Sequence, residues 1–126
     1  MTDDDKKKLK QDKDGLVTYE YLANHIGECG PEEIDTLIEN MARVDLSGQF
    51  MASAARYLNA IDPDGYAPAV KKLVSLAIDK DREHKYLPDL LQGLYGEDYE
   101  ERAAELCASD DNFRRIYKRL FPTTII

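Results

Sequence analysis

Apolar residues recur every three or four positions along most of the chain, whereas alternation of apolar and polar residues is scarce. This period predicts amphipathic helices rather than strands. The segment after Pro31 shows it most clearly, because Ile34, Leu37, Ile38 and Met41 fall on one helix face. The sequence therefore predicts an all-α fold, a single compact bundle of about six or seven short helices, with stacked helical hairpins as the alternative arrangement.

Capping and turn residues set the predicted helix boundaries. Pro31 suits the first helical position, and Asp45 or Ser47 is expected to cap the next helix. Residues 62–65, Asp-Pro-Asp-Gly, predict a turn, since Pro fixes φ and Gly accepts a positive φ. The later boundaries follow from the same residue types and are Pro88, Gly96, Asp110 or Asp111, and Pro122. Between them the apolar faces are Phe50, Ala54, Tyr57, Leu58 and Ile61, then Val70, Leu73, Val74, Ala77 and Ile78, then Leu90, Leu91 and Leu94, and last Phe113, Ile116, Tyr117 and Leu120.

A Tyr-Leu pair recurs at Tyr21, Tyr57 and Tyr86, which indicates an irregular internal repeat. An Asp stands 24 residues after each Tyr, just before the next predicted helix; these residues are Asp45, Asp81 and Asp110. The positions 16, 17 and 20 residues after each Tyr are apolar in the first two units and match less well in the third. A stack of helix pairs explains the spacing, and a plain bundle with chance spacing is the other interpretation.

Charge is distributed unevenly along the chain. Residues 1–15 carry five acids and five bases with little apolar surface, so we predict a disordered, charged N-terminal tail over 1–15 and a helical domain over 16–126. No apolar stretch follows the lysines as in a signal peptide, so we expect a cytoplasmic protein with reduced thiols. The formal net charge is -8, from 17 Lys and Arg against 25 Asp and Glu. This balance argues against a dedicated nucleic-acid binder.

The candidate partner-binding residues are Glu32, Asp35 and Glu39, which line one stripe of the helix after Pro31. No Lys or Arg lies between residues 14 and 42, so like charges follow one another along this stripe. Such a stripe suits docking of a basic partner, although a solvated face that favours the helix dipole is the alternative. We therefore expect a small acidic protein-protein interaction module, an adaptor or an inhibitor of the immunity type, with no enzymatic activity and no cofactor.

The alternative function is a metal-dependent or thiol enzyme. His25 and Cys29 are four residues apart and share a face if a helix runs through Gly27. A pair of Cys29 with His25, or of Cys107 with His84, could form a nucleophile and its base. Neither a Cys-x-x-Cys nor a His-Glu-x-x-His pattern is present, so no metal ligands are assigned.

A degenerate calcium-binding protein is a further alternative. Residues 12–17 match the middle of an EF-hand loop, with Gly15 at its sixth position. The first and twelfth positions are then Lys10 and Tyr21, where the loop needs carboxylates. Residues 62–65 fail the same test, so turn chemistry explains both segments better.

The last predicted helix interleaves basic and apolar residues; its bases are Arg114, Arg115, Lys118 and Arg119. Such a stretch occurs at nucleic-acid surfaces. However, bases near a helix C-terminus also favour the helix dipole, and acids between residues 97 and 105 are available to pair with them. We therefore expect neither a nucleic acid nor a membrane as partner, while surplus apolar helix faces leave a homodimer open.

Overall fold

The computed structural model describes residues 1–123 and shows only helices within them. The helices are α1 (Asp3–Lys10), α2 (Leu16–His25), α3 (Pro31–Val44), α4 (Gln49–Ile61), α5 (Ala67–Lys80), α6 (Leu87–Tyr95), α7 (Ala103–Ser109) and α8 (Asp111–Leu120), with a 3-10 turn at Ile26–Glu28. The all-α prediction is confirmed, with eight α-helices instead of six or seven. The predicted domain extends to residue 126, and its last three residues lie outside the described part. None of the described helices is long and apolar enough to cross a lipid bilayer.

The extra helix is α1, which lies in the segment predicted to be a disordered tail. The Thr2 hydroxyl accepts a hydrogen bond from the Asp5 N–H, and the Asp5 carboxylate accepts one from the Thr2 N–H. This capping box satisfies two backbone donors at the start of the helix. Leu9 is buried in the core, and Asn40 Nδ2 donates to the Leu9 carbonyl over 2.9 Å. One apolar side chain and one long-range hydrogen bond thus hold α1 on the domain, which composition could not reveal.

The helices stack in two rows. In the first row α4 lies between α2 and α6, and in the second α5 lies between α3 and α8. Consecutive helices α4 and α5 pack closely as a hairpin, as do α2 and α3, and α7 packs on α8. Each helix therefore buries its apolar face against the neighbouring hairpin as well as its own partner.

Helices α3 and α5 follow one pattern. Each has 14 residues, and the matched positions Leu37 and Leu73, and Ile38 and Val74, are buried in both. The third unit diverges because α7 has only seven residues. Ile61 was predicted to face inward, but it is 47% exposed because it is the last residue of α4 and extends beyond the core.

The three aspartates of the predicted repeat cap helices, as expected. Asp45 Oδ2 accepts hydrogen bonds from the Phe50 and Met51 N–H groups at 2.9 Å each. Asp81 binds the backbone at the start of α6 in the same way, and Asp110 accepts from a backbone N–H in the first turn of α8. These bonds satisfy donors that a helix start leaves without partners.

Asp12 belongs to the same series, which the sequence interpretation did not recognise. Its Oδ1 accepts from the Gly15 N–H at 3.0 Å, and its Oδ2 accepts from the N–H and hydroxyl of Thr18 at 2.8 and 2.6 Å. Asp12, Asp45 and Asp81 are all buried. The buried aspartates are therefore spaced by 33 and 36 residues, and each precedes a helix of the first row.

The third residue after each buried aspartate has a positive φ. These residues are Gly15 (105°), Gly48 (83°) and His84 (57°). At Gly48 a Cβ would lie 3.1 Å from the Ala77 carbonyl oxygen, so the adjacent helix α5 leaves little room for a side chain. Glycine meets both demands at once, since it lacks a Cβ and adopts a positive φ without strain.

Candidate functional site

The predicted partner-binding residues lie on the outer side of α3. Glu32, Asp35 and Glu39 are all exposed, and we call them the acidic face of α3. Their spacing of three and four residues places them along one stripe of the helix. Ile34, Leu37 and the other apolar residues of α3 point to the core instead. The helix thus presents three carboxylates to solvent while packing its other side.

The tertiary structure adds a cation that the local sequence lacks. Lys72 on α5 places its Nζ 3.8 Å from Asp35 Oδ1 and 4.0 Å from Glu39 Oε1. Both distances exceed those of a direct hydrogen bond, and all three side chains are well exposed. Exposed ion pairs of this kind contribute little to stability. One ammonium group therefore only partly compensates three carboxylates, and the acidic face of α3 keeps a net negative charge.

A groove runs beside the acidic face of α3, between α1 and α3. Its volume is about 500 Å³, and Met1, Glu39 and the bases Lys6, Lys10 and Arg43 are among the residues that line it. We call it the α1–α3 groove. It combines an apolar side chain and three bases with one carboxylate, Glu39, which also belongs to the acidic face of α3.

The His25 and Cys29 side chains are not arranged as a nucleophile and its base. Helix α2 ends at His25, and the 3-10 turn that follows breaks the continuous helix that the pairing required. The His25 ring instead stacks on Tyr21, with ring centroids 4.3 Å apart, and its Nδ1 lies 3.4 Å from Glu28 Oε2. Burial raises the pKa of the Cys29 thiol, and the nearby carboxylates of Glu33 and Glu28 raise it further. A raised pKa lowers the fraction of nucleophilic thiolate at neutral pH.

Cys107 and His84 lie on different elements. Cys107 is half-buried in α7, and burial raises the pKa of its thiol although Lys118 and Arg114 oppose the shift. His84 lies in the loop before α6, in its left-handed conformation. No hydrogen bond joins the two side chains in the part of the chain that the structure describes.

The first candidate calcium loop is a helix-capping turn, and the second is an exposed turn between α4 and α5. Asp12 directs both carboxylate oxygens at donors of its own loop and of α2. Asp62 Oδ1 accepts from the Gly65 N–H at 3.0 Å in the exposed turn after α4. Within residues 1–123, no three His, Cys, Asp or Glu side chains converge to form a possible metal site.

The basic residues of α8 do not pair with the acids between residues 97 and 105. Arg115 Nη2 lies 2.8 Å from Asp79 Oδ1 on α5, and Arg114 pairs with Asp111 in its own helix. Because α8 packs on α5, the fold supplies Asp79 as the closer acid. Among those upstream acids, Asp98 pairs locally with a base of its own segment.

A second cavity of about 470 Å³ lies between the start of α5 and the start of α8. At its edge the Tyr95 hydroxyl donates to Asp110 Oδ2 over 3.1 Å. Burial raises the pKa of Tyr95 far above its ordinary value, and the Asp110 carboxylate raises it further. Asn112 Nδ2 donates to the Lys71 carbonyl on the same lining. These polar groups bind one another, so the cavity has a structural hydrogen-bond network.

Sequence reasoning missed a surface formed by the loops that contain the buried aspartates. Leu46 follows Asp45 directly and is 78% exposed. It lines a cleft of about 330 Å³ together with Lys80 at the end of α5 and Arg82 in the loop before α6. The sequence did contain one signal for it: Leu46 is a large apolar residue between Asp45 and Ser47, and it belongs to none of the predicted apolar helix faces. We call the surface formed by Leu16, Val17, Leu46, Lys80, Arg82, Lys85 and Tyr86 the Asp-loop end.

Comparison with protein-family models, with curated proteins and with solved structures finds no significant match. The function is therefore inferred from the surfaces of this chain alone.

Proposed function

We propose that this protein is a small interaction module that binds a basic segment of another protein through the acidic face of α3. One observation carries the proposal: three exposed carboxylates line one stripe of a 14-residue helix, and a single ammonium group, that of Lys72, lies within 4.0 Å of two of them. A basic partner would supply the charges that the fold leaves uncompensated.

The neighbouring groove supports the same proposal. A purely electrostatic contact would be weak and strongly dependent on salt. The α1–α3 groove adds the exposed apolar side chain of Met1, and Glu39 belongs both to the groove and to the acidic face of α3. The bases Lys6, Lys10 and Arg43 also line the groove, so a fitting segment would place an apolar side chain there and direct its Lys or Arg residues to the carboxylates of α3. Binding would then combine charge complementarity, which raises the association rate, with apolar burial, which slows dissociation.

The proposal includes binding rather than catalysis, and a cytoplasmic setting. Burial and nearby carboxylates raise the pKa of Cys29, which disfavours a role as a nucleophile.

Charge variants of the full chain test the proposal. Purified wild-type protein serves as bait in a lysate of the source organism, and captured proteins are identified by mass spectrometry. The association rate of each captured protein is then measured with wild-type bait and with a neutralised variant carrying Glu32→Gln, Asp35→Asn and Glu39→Gln. We expect a partner with a basic segment, an association rate about tenfold lower for the variant, and a weaker dependence on salt.

A matched control separates the acidic face of α3 from total charge. The triple variant Glu97→Gln, Glu100→Gln and Glu101→Gln removes the same number of exposed carboxylates from another surface. We expect this control to associate nearly as fast as the wild type. Equal loss in both variants, or no loss in the α3 variant, would contradict the proposal. Circular dichroism verifies that both variants remain folded.

A further inference from the structure

The loops that contain the three buried aspartates lie side by side at one end of the stack. A Cβ on Gly15 would lie 3.0 Å from the Cβ of Asp45, so the first loop abuts the second. A Cβ on Gly48 would lie 3.4 Å from the Cβ of Lys80, so the second loop abuts the third. The residues next to these positions therefore lie at one end of the stack, the Asp-loop end.

Exposed apolar side chains are concentrated on this surface. Five large apolar residues in the described part of the chain are exposed, namely Met1, Leu16, Val17, Leu46 and Ile61. Three of them belong to the Asp-loop end: Leu46 at 78% exposure, Leu16 at 42% and Val17 at 41%. Single exposed apolar residues are ordinary, but a group of them at one end of the fold, two in the first turn of α2 and one in the loop before α4, is typical of a contact surface.

Basic side chains border the apolar residues. The cleft beside Leu46 is lined by Tyr86, by the cations Lys80, Arg82 and Lys85, and by the carboxylates Asp81 and Glu83. Lys85 Nζ lies 2.9 Å from Glu83 Oε2. No carboxylate lies within ion-pair distance of Lys80 or Arg82 in residues 1–123.

The nearest carboxylate in sequence, that of Asp81, is already used. Its oxygens accept hydrogen bonds from three backbone N–H groups at the start of α6. Two cations therefore remain available beside an exposed leucine, in a protein whose formal net charge is -8. This local charge is opposite to that of the acidic face of α3.

We propose that the Asp-loop end binds an acidic segment of a second partner protein, with a large apolar side chain of that segment in the cleft beside Leu46. Lys80 and Arg82 pair with its carboxylates, and Leu46 and Tyr86 contact its apolar side chain. Charge complementarity selects this occupant over a basic one. An anionic membrane fits less well, because a cleft of about 330 Å³ accommodates a protruding side chain rather than a flat bilayer surface.

This site is distinct from the acidic face of α3 and selects partners of opposite charge. With both sites occupied, the protein would act as an adaptor that holds a basic and an acidic segment at once. The second site does not depend on the first, so either can fail a test without the other.

Peptide selection tests the site directly. A random peptide library displayed on phage is selected against the full-length protein, and enriched peptides are measured by fluorescence anisotropy. We expect peptides that combine Asp or Glu with a large apolar residue. We also expect their affinity to fall about tenfold with Leu46→Ser and about tenfold with Arg82→Glu, as for central interface residues.

Matched variants serve as controls. Ile61→Ser removes an exposed apolar residue elsewhere, and Lys118→Glu reverses an exposed base elsewhere. We expect neither to change the affinity of the enriched peptides. Enrichment of basic peptides, no enrichment at all, or equal binding to the Leu46 and Arg82 variants would overturn the proposal.

Two further outcomes would assign the surface to another occupant and overturn the proposal as well. One is binding to vesicles of phosphatidylcholine and phosphatidylserine that Leu46→Ser abolishes, while no acidic peptide binds. The other is a concentration-dependent dimer in analytical ultracentrifugation that Leu46→Ser dissociates.

Discussion

Gly15 lies so close to Asp45 that a Cβ at position 15 would be only 3.0 Å from the Cβ of Asp45. Asp45 in turn binds the start of α4 through its carboxylate. The loop before one helix thus packs on the cap of the next, which couples the two hairpins directly.

Gly15→Ala should destabilise the protein by roughly 1–3 kcal/mol, because alanine is strained at a φ of 105° and its Cβ would press on Asp45. Gly27→Ala is the control, since a Cβ there meets nothing within 4 Å. We expect that variant to be neutral or slightly more stable. Urea unfolding of both variants measures the difference, and equal midpoints would show that the two loops are not tightly packed.

Asp45→Ala should lower the free energy of unfolding by about 2 kcal/mol or more, because it leaves the Gly48, Phe50 and Met51 N–H groups without their acceptor. Asp62→Ala removes a single hydrogen bond from an exposed turn and should cost well under about 1 kcal/mol. Thermal and urea unfolding compare the two. Similar losses of unfolding free energy in the two variants would mean that the burial of Asp45 does not increase its contribution to stability.

Asp12 should make the protein sensitive to acid. Burial opposes ionisation of its carboxyl, but hydrogen bonds from the Thr18 hydroxyl and from backbone N–H groups outweigh burial and lower its pKa below the ordinary 3.8. A lowered pKa in the folded state stabilises the protein above the unfolded-state pKa, and this stability is lost as pH falls through the folded-state pKa.

The comparison is between wild type, Asp12→Asn and the exposed control Asp14→Asn. Unfolding free energies are measured from neutral pH down to below 3.8. We expect the loss on acidification to be smaller for Asp12→Asn than for the other two proteins. If the free energy of unfolding fell equally with pH in all three proteins, Asp12 would not be the source of the acid sensitivity.

Tyr95 should make the protein sensitive to alkali. Burial raises its pKa above the ordinary 10.0, and Asp110 adds to the shift. The unfolded chain then releases the phenol proton at a lower pH than the folded protein, so stability is present below 10.0 and falls as pH rises above it. Tyr95→Phe should show a smaller alkaline loss in urea unfolding. An unchanged alkaline slope would mean that Tyr95 ionises normally in the folded state.

Both cysteines should react slowly with iodoacetamide at neutral pH. Burial raises the pKa of Cys29 and of Cys107, so little thiolate is present. Mass spectrometry of the single variants Cys29→Ser and Cys107→Ser gives the rate of the remaining thiol. We expect both rates to lie below that of a small model thiol. A faster reaction at Cys29 would revive the thiol-enzyme interpretation.

Local patterns predicted much of the fold. The helix period identified α3 and α5, and the capping preferences of Asp identified Asp45, Asp81 and Asp110 as helix starts. Such features depend on residues within a few positions of one another. The exposed stripe of Glu32, Asp35 and Glu39 was predicted for the same reason, since one helix turn sets its geometry.

Contacts between residues far apart in the sequence could not be predicted from such local patterns. The composition of residues 1–15 predicted a disordered tail where the structure has α1. The contacts that hold α1 are the burial of Leu9 and the hydrogen bond from Asn40, 31 residues away, and neither can be recognised from the neighbouring sequence. Asp12 was interpreted as part of a calcium-like loop or of the tail, although its role matches that of Asp45. The equivalence of Asp12 and Asp45 becomes visible only in the structure, where the Thr18 N–H and hydroxyl donate to Asp12.

By itself, the sequence determined the helical class, the helix starts and the placement of three carboxylates along α3, because backbone propensity, capping and helical period act over a few residues. The tertiary structure decided which charges meet and which remain available. It brought Lys72 close to Asp35 and Asp79 close to Arg115. It also left Arg82 beside the exposed Leu46, with no carboxylate of residues 1–123 at ion-pair distance. These outcomes depend on how the hairpins stack, and stacking is set by long-range packing that no local period encodes.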